Sequence, residues 1–419
     1  MDIIHVQGSG PLRGEIQIQG SKNAVLPILA AAVLIEGTCC LKNCPHISDV
    51  NCMCRLLESM GCSTYWDEDG LKVDTSTLKE SRLPKELVTS MRSSIILLGP
   101  LLARCKEASL DYPGGCVIGD RPIDMHLHLL KEMGAVFTIQ NEHIAGLAEQ
   151  LTGTTIRLPF PSVGTTENGI LASVMAKGRT TLLNCALEPE VQQLCHFLNA
   201  AGAKIEGVGT DCLRIEGVEK LYPVTYMIEA DRIVAGTYIF SAVATMGRIG
   251  ILNTPVKELD SVLEVVKQMG CRLSLEGKHL EVWQKERPKA VSLVQTQVYP
   301  GFPTDLQSVL MTTLAVSDGE SQIEENIFSN RFKIAGELVR MGAEIRIEGR
   351  RARIKGKEKL YAMSLLAEDL RGGAALVLAG ICAQGNSLIG NCHYIERGYE
   401  DICRDYRFLG AAVEKIVRS

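Results

Sequence analysis

The sequence predicts an α/β protein of two domains, each built from three copies of one repeating unit. A short motif, Met/Leu/Ala-Gly-Ala/Cys, called the phrase below, ends a segment with helical periodicity six times along the 419 residues. The phrase glycines are Gly61, Gly134, Gly202, Gly270, Gly342 and Gly410, which lie 73, 68, 68, 72 and 68 residues apart. A recurrence at so regular a period indicates an internal repeat. The chain is also longer than a usual single domain, so the six copies divide between two.

Each repeat contains two helices of different character. The helix before the phrase is amphipathic, as the three- and four-residue spacing of Leu259, Val262, Val266 and Met269 shows. The other helix is apolar nearly all round, which predicts that it is buried. The predicted buried helices cover residues 23–36, 92–106, 164–177, 232–246, 305–317 and 371–384, and most reach a glycine expected to end them. Short runs of β-branched residues predict the strands. The predicted order of elements in each unit is therefore buried helix, strand, surface helix, strand, strand.

The spacing of the repeats also predicts the domain boundaries. From each phrase glycine to the next buried helix the distance is 31, 30, 30, 35 and 29 residues. The 9 residues after Gly410 and the 21 residues before Lys22 together make up the same length. We therefore expect the N-terminal segment to complete the sixth unit. This predicts a first domain of residues 22–229 and a second, discontinuous domain of residues 1–21 and 230–419.

Composition and charge exclude several classes of protein. The formal net charge is −5 and the chain has no run of Lys or Arg, which disfavours a nucleic-acid surface. The N-terminus lacks the pattern of a signal peptide, and no apolar stretch is long enough to span a membrane. The 15 cysteines are odd in number and irregularly spaced, so we expect reduced thiols in a cytoplasmic protein and no metal site.

The starts of the buried helices are polar or charged, which predicts an anion site. They read Ser21-Lys22-Asn23, Met91-Arg92-Ser93, Ser162-Val163-Gly164, Asp231-Arg232, Thr304-Asp305 and Asp369-Leu370-Arg371. Helix N-termini present free N–H groups and partial positive charge, and Lys22, Arg92 and Arg371 add to it. Ser, Thr and Asp are also ordinary N-caps, an alternative at each single start. Six equivalent starts favour a cleft that binds phosphates or carboxylates.

A glycine-rich segment, residues 113–126, carries a candidate reactive thiol. Gly114, Gly115 and Gly119 have the composition of a lid, and Cys116 lies near Arg121, whose charge favours the thiolate. Such a thiol serves as nucleophile or general acid, and the alternative is a loop cysteine of no consequence.

Two further charged residues stand in unusual settings. Asp305 opens a buried helix, where a carboxylate suits a base and equally an N-cap. Arg397 precedes a surface helix beside Gly398, where it is either a solvated charge or a clamp on an anion.

These motifs resemble those of the enolpyruvyl transferases along essentially the whole chain. The resemblance rests on residues 20–24, 113–124, 162–164, 188–190, 231–232, 301–307, 327–332, 369–371 and 397–400. It implies a fold of two inside-out α/β domains, each of three β-α-β-α-β-β units, in agreement with the repeat.

The resemblance also implies a reaction and its residues. Phosphoenolpyruvate would pass its enolpyruvyl group to the 3-hydroxyl of UDP-N-acetylglucosamine by addition and elimination of phosphate, the first committed step of peptidoglycan synthesis. Cys116 would be the acid that protonates C3, and a target of the epoxide-phosphonate fosfomycin. Asp305 would stand at the sugar hydroxyl, with Lys22, Arg121 and Arg397 around the phosphate and carboxylate. The remaining substrate contacts implied are Asn23, Arg92, Pro122, Ile123, Asp124, Met125, Ser162, Val163, Gly164, Ile327 and Arg331, together with Asp369 and Arg371 as a charged pair. No metal or organic cofactor is implied.

Three alternatives remain open on the residues. One is the shikimate-pathway transferase of the same fold, which needs neither a thiol-bearing lid nor a nucleotide-binding loop. A second is a non-catalytic sugar-nucleotide-binding paralogue, which should have lost Cys116, Asp305 or a cation. A third is an RNA-end-processing enzyme on a related repeat, which the negative charge disfavours. The chain departs from the family pattern at Phe160 and Pro161, where a basic residue is expected before Ser162.

Overall fold

A computed structural model describes residues 2–114 and 123–417 of the chain. These residues form two compact units. The unit that contains the first helices of the chain is called the first unit. The first unit contains residues 20–114 and 123–229, and the second contains residues 2–19 and 230–417. Cys116, Arg121 and Pro122, three of the predicted site residues, lie outside the described part of the chain.

Short strands and helices alternate regularly along the chain. The strands are β1 (Ile3–Gln7), β2 (Arg13–Gln17), β3 (Thr38–Lys42), β4 (Ser63–Asp67), β5 (Gly70–Asp74), β6 (Glu107–Asp111), β7 (Val136–Gln140), β8 (His143–Leu147), β9 (Thr155–Arg157), β10 (Arg179–Leu183), β11 (Lys204–Glu206), β12 (Cys212–Glu216), β13 (Thr225–Met227), β14 (Arg248–Leu252), β15 (Arg272–Glu276), β16 (His279–Trp283), β17 (Val294–Gln295), β18 (Glu320–Glu324), β19 (Glu344–Glu348), β20 (Arg351–Lys355), β21 (Leu360–Tyr361), β22 (Ser364–Leu366), β23 (Ala383–Gln384), β24 (Asn386–Gly390) and β25 (Ala412–Ile416). The α-helices are α1 (Lys22–Ala32), α2 (Ser48–Ser59), α3 (Lys85–Ser90), α4 (Leu98–Cys105), α5 (Asp124–Glu132), α6 (Val163–Ser173), α7 (Pro189–Ala200), α8 (Arg232–Ala244), α9 (Asp260–Gln268), α10 (Gln307–Ala315), α11 (Ile334–Arg340), α12 (Leu370–Cys382) and α13 (Ile402–Phe408). Single turns of 3₁₀ helix cover Val256–Glu258 and Thr304–Leu306, and longer ones cover Arg92–Leu97 and Cys392–Arg397.

Six of the seven sheets in the described residues share one strand order, and the seventh is the two-stranded pair β21-β23. In the sheet β3-β5-β4, β3 follows the buried helix α1 and β4 follows the surface helix α2. Both strands pair antiparallel with β5, which lies between them. The same order recurs in β6-β8-β7, β10-β12-β11, β14-β16-β15, β18-β20-β19 and β24-β1-β25. In the last of these sheets β1, from the N-terminal segment, holds the place of the third strand. Five of the sheets gain a further strand parallel to the first, namely β13, β9, β2, β17 and β22.

Three apolar helices form the core of each unit. In the first unit the 3₁₀ segment Arg92–Leu97 packs against both α1 and α6, and α4 packs on α6; in the second unit α8, α10 and α12 pack on one another. All thirteen residues of α8 are buried, as its uniformly apolar sequence predicts. The surface helices and the sheets surround these helices, so the predicted inside-out α/β fold of repeated units is confirmed.

The ends of the buried helices differ from the expectation. They stop three to five residues before the glycine that was expected to end them: α1 ends at Ala32, ahead of Gly37, and α6 ends at Ser173, ahead of Gly178. After Ala32 the chain continues in tighter turns, in which the N–H of Leu34 donates to the carbonyl of Ala31. Gly37 has a φ of 120° and leads instead into β3. The expectation was wrong because tightened turns intervene between helix and glycine after α1, and the short strand β23 lies between α12 and Gly385.

The six repeated phrases adopt one backbone structure. Their glycines all have positive φ, between 83° and 103°. In each, the glycine N–H donates three residues back and the next N–H donates five residues back, as Gly61 does to Glu58 and Cys62 to Leu57. This pair of bonds is the Schellman motif, which ends a helix on a left-handed residue. The repeat seen in the sequence is therefore a repeat of six helix C-termini.

Candidate active site

Asp305 lies between two buried arginines of the second unit. Its Oδ1 accepts from Nη2 of Arg331 at 2.8 Å, and its Oδ2 accepts from Nη2 and Nε of Arg371 at 3.0 and 3.2 Å. Both guanidinium side chains are only 3% exposed, whereas the carboxylate side chain is 27% exposed. The structure thus brings together three predicted site residues that are far apart in sequence, with the carboxylate accessible and the cations enclosed.

Local structure explains the position of Asp305. It is the middle residue of the single 3₁₀ turn Thr304–Leu306 that precedes α10, so its side chain leaves the chain at the start of a core helix. Nε of Arg331 also donates to the Thr304 carbonyl at 3.3 Å. The Thr304 hydroxyl donates to Glu325, and that carboxylate accepts the backbone N–H of Ile327 at 2.8 Å. The turn is therefore held on both sides by charged residues from the neighbouring segment.

Arg371 is fixed by an aromatic ring as well as by the carboxylate. The ring centroid of Tyr399 lies 5.9 Å from the Arg371 guanidinium carbon, and the tyrosine hydroxyl lies 2.7 Å from the Thr237 hydroxyl. Burial acts to lower the pKa of Arg371, but the nearby charge of Asp305 opposes it and the pKa is raised overall. Burial raises the pKa of Tyr399, against an opposing effect of Arg371. The arginine therefore remains a fixed cation and the tyrosine a neutral hydroxyl.

Caps occupy four of the helix starts that were predicted to bind anions. The Ser21 hydroxyl accepts the N–H of Ala24, and the Ser162 hydroxyl accepts the N–H of Thr165. Asp231 and Asp369 each accept two N–H groups of the first turn of α8 and α12. Because Asp369 accepts the backbone N–H of Arg371, it anchors the start of the helix from which the Arg371 side chain reaches Asp305.

Two predicted cations of the first unit have different surroundings. Lys22, the first residue of α1, forms an ion pair with Asp49 of α2 at 3.0 Å, and both side chains are largely buried. Nη1 of Arg92 donates to the carbonyl of Pro113 at 3.4 Å, just before the glycine-rich segment. Asn23 follows Lys22 on α1 and is half-buried.

The predicted nucleotide-binding residues of the first unit open two helices. Ile123 is buried and stands just before α5, and the exposed Asp124 and half-buried Met125 form its first turn. Val163 and Gly164 form the first turn of α6, where backbone N–H groups have no carbonyl partner within the helix.

The other predicted residues of the second unit lie in its connecting segments. Arg397 is half-buried and ends the 3₁₀ segment Cys392–Arg397, and Ile327 is half-buried in the segment after β18. Asp49, the ion-pair partner of Lys22, could not be predicted from the sequence, since an acid in a first helical turn is common. The role of Glu325 could not be predicted either, because that residue lies in no recognised sequence pattern.

The described residues include no cluster of three or more His, Cys, Asp or Glu side chains placed to hold a metal ion. Within the same part of the chain, no helix combines the length and the apolar character needed to cross a membrane. The fourteen cysteines found there are all free thiols.

Comparisons with known proteins identify the family. Residues 6–405 match the family described as EPSP synthase (3-phosphoshikimate 1-carboxyvinyltransferase). The chain is 43% identical to UDP-N-acetylglucosamine 1-carboxyvinyltransferase 2 of Caldanaerobacter subterraneus subsp. tengcongensis, over 98% of this chain and 99% of that protein. It is 44% identical to UDP-N-acetylglucosamine 1-carboxyvinyltransferase of Cellvibrio japonicus, over 99% of this chain and 100% of that protein.

Solved structures show the same fold. The enolpyruvyl transferase NikO from Streptomyces tendae superimposes with a TM-score of 0.89 at 24% identity, covering 99% of this chain and 98% of its own. EPSP synthase from Acinetobacter baumannii does so with a TM-score of 0.76 at 18% identity, covering 100% of both chains. Since both the family match and the relatives extend over nearly its full length, the chain belongs to the enolpyruvyl transferase family and is a transferase.

Proposed function

We propose that the chain transfers the enolpyruvyl group of phosphoenolpyruvate to the 3-hydroxyl of UDP-N-acetylglucosamine and releases phosphate. The observation that carries this proposal is the full-length relation, at 41–44% identity, to several proteins named UDP-N-acetylglucosamine 1-carboxyvinyltransferase. This reaction is the first committed step of peptidoglycan synthesis.

The proposed chemistry is an addition followed by an elimination. The sugar oxygen forms a bond to C2 of phosphoenolpyruvate while the C2–C3 electron pair takes a proton at C3, giving a tetrahedral intermediate. C3 then loses a proton, the C2–O bond to phosphate breaks, and the enol ether forms. The intermediate carries both phosphate and carboxylate, so fixed cations stabilise it more than solvent water could.

Asp305 is the residue we assign to the sugar hydroxyl. A carboxylate held by two guanidinium groups cannot rotate freely, so its accessible edge presents an acceptor in a fixed direction. It would accept the hydroxyl proton as the oxygen attacks C2. Arg331 and Arg371 are enclosed by the protein, so we assign them the task of orienting Asp305. We assign Lys22, Arg121 and Arg397 to the phosphate and carboxylate of phosphoenolpyruvate.

The first unit supplies the proposed sugar-nucleotide contacts. The diphosphate would accept the N–H groups at the start of α6, in the turn of Ser162, Val163 and Gly164. The uridine would contact residues 121–125 at the start of α5, and Asn23 and Arg92 would contact the sugar or the intermediate. Ile327 is proposed as a further contact of the sugar.

Cys116 is assigned the proton that C3 receives, and it is the proposed target of fosfomycin. No metal or cofactor takes part in the proposed reaction. A cytoplasmic location is part of the proposal, since the free thiols fit a reducing compartment.

Phosphate release from phosphoenolpyruvate tests the proposal. The purified protein should release phosphate when UDP-N-acetylglucosamine is present and not when it is absent. Shikimate 3-phosphate, tested in parallel, should give no release. Release with shikimate 3-phosphate alone would establish the other transferase activity, and release with neither acceptor would favour a binding paralogue.

A further inference from the structure

Arg397 stands in a segment whose backbone is held by a side chain from the N-terminal strand region. The carbonyl of Gly398 accepts from Nε2 of Gln19 at 3.1 Å, and the N–H of Glu400 donates to Oε1 of Gln19 at 3.0 Å. Gln19 is half-buried and belongs to the same unit as Arg397. One amide group thus contacts the backbone on both sides of Tyr399, directly after Arg397.

The two partners determine the orientation of the Gln19 amide. A backbone carbonyl can only accept and a backbone N–H can only donate, so the amide nitrogen must face Gly398 and the oxygen Glu400. Both hydrogen-bonding groups of the side chain are used at normal lengths. Gln19 is therefore a two-point clamp on a segment nearly 380 positions later in the chain.

The base of the clamp is itself rigid. The N–H of Ile18 donates to Leu252, extending the pairing of β2 with β14, and the Gln19 carbonyl accepts the N–H of Asp231 at 2.9 Å. Asp231 caps the core helix α8. Gln19 therefore joins a sheet, a core helix and the Arg397 segment.

The rest of the segment is anchored upstream and inward. The N–H groups of Gly398 and Tyr399 both donate to the carbonyl of Ile395 at 3.1 Å. The Tyr399 side chain is buried, with its hydroxyl at Thr237 and its ring against Arg371. The backbone after Arg397 is therefore held by Ile395 on one side and by Gln19 on the other. The Arg397 side chain extends from this fixed backbone.

We propose that Gln19 is a positioning residue for Arg397, holding its guanidinium where it receives the phosphate or carboxylate of an enolpyruvate substrate. The inference rests on the proposed function, because it takes the anion at Arg397 to be phosphoenolpyruvate. It assigns Gln19 no contact with substrate. Its effect should pass through Arg397 and should concern phosphoenolpyruvate and not the sugar nucleotide.

The test is the substitution Gln19→Met, which keeps the length of the side chain and removes both hydrogen bonds. In the phosphate-release assay, KM for phosphoenolpyruvate should rise about tenfold, since small misplacements of a binding group have large effects. KM for UDP-N-acetylglucosamine should change by less than about twofold, because the substitution would alter no contact with the sugar nucleotide. Gln17→Met, at the exposed end of β2 two residues before Gln19, is the matched control and should leave both constants unchanged.

A double variant separates positioning from a general structural role. In an Arg397→Lys background, Gln19→Met should have little further effect on KM for phosphoenolpyruvate, because the group it positions has already been replaced. Equal increases for both substrates, or full additivity with Arg397→Lys, would overturn the inference. An unchanged KM in an active Gln19→Met enzyme would also overturn it. If the unaltered protein released no phosphate with the sugar nucleotide, the proposed function would fail first and the inference with it.

Discussion

Removing the Asp305 carboxylate should weaken both the fold and the reaction. Asp305→Ala leaves the Arg331 and Arg371 side chains, each only 3% exposed, without their shared anion. Removing one partner of a buried pair destabilises a protein by roughly 3–5 kcal/mol. Because the Asp305 side chain is 27% exposed, water replaces part of the lost interaction, and we expect about 3 kcal/mol, the lower end of that range.

This destabilisation should be visible in thermal melting. A loss of 1 kcal/mol lowers Tm by about 2–4 °C in a domain of 150–250 residues, so the second unit should melt about 6–12 °C earlier. The activity should fall by a larger factor: loss of a general base lowers kcat by about 10²–10⁴-fold. Phosphate release measured below the melting transition separates this loss from unfolding.

A second substitution distinguishes the two effects. Arg371→Met in the Asp305→Ala background removes one of the unpaired charges, so this double variant should regain part of the lost Tm and none of the lost activity. A Tm for Asp305→Ala equal to that of the unaltered protein would refute the reasoning about the enclosed arginines. Near-normal kcat would refute the role given to Asp305.

Three other predictions test separate parts of the molecule. Fosfomycin should add once to the protein, on Cys116, and intact-mass spectra should show no adduct on Cys116→Ser; labelling of another cysteine would contradict the assignment. Gly134→Ala should destabilise the first unit by about 1–2 kcal/mol, because its φ of 100° suits glycine. Gly336→Ala lies on an exposed face of α11 with open space around it and should stabilise the protein by about 0.5–1 kcal/mol. Urea unfolding measures both changes in the free energy of unfolding. Burial, and then the nearby Glu190 and Glu188, raise the pKa of the fully buried Glu167 well above 4.5, so its contribution to stability is complete below pH 4.5 and is lost as pH rises toward its folded pKa. Glu167→Gln should therefore gain in Tm over the unaltered protein as pH increases, by up to about 1.4 kcal/mol per pH unit in free energy, and a difference independent of pH would contradict this.

The repeat could be predicted because the Schellman motif at each of the six helix ends requires a glycine. A Schellman motif needs a left-handed residue after the helix, and glycine adopts it with the least strain, so Gly61 and its five counterparts mark the helix ends directly in the sequence. The exact ends of the buried helices could not be predicted in the same way. The tightened turns after Ala32 depend on backbone bonds that any residue can form, so no residue type records them.

The candidate site could be predicted residue by residue but not as an arrangement. Asp305 and Arg371 were each noticeable as charged residues at apolar helices. Their contact joins positions 66 residues apart, and Arg331 is 26 residues from Asp305 in a loop before α11. Long-range pairing of this kind depends on how core helices pack, and a linear pattern contains no record of it. The clamp by Gln19 was invisible for the same reason.

The repeat nevertheless supplies a rule for the charges at the helix starts. In the second unit, Asp231, Asp305 and Arg371 open or precede the three core helices, and three helices that pack together bring their starts close. The charges of Asp305 and Asp231 both act on Arg371, as this geometry requires. Asp231 caps its helix, so Asp305, whose carboxylate is held by Arg331 and Arg371, is the acid proposed to accept the hydroxyl proton. In the first unit the equivalent starts carry Lys22 and Arg92 and are capped by the neutral Ser21 and Ser162, so they favour phosphate groups. One repeated helix start, varied only in its charges, would under the proposed function serve hydroxyl activation in the second unit and anion binding in the first.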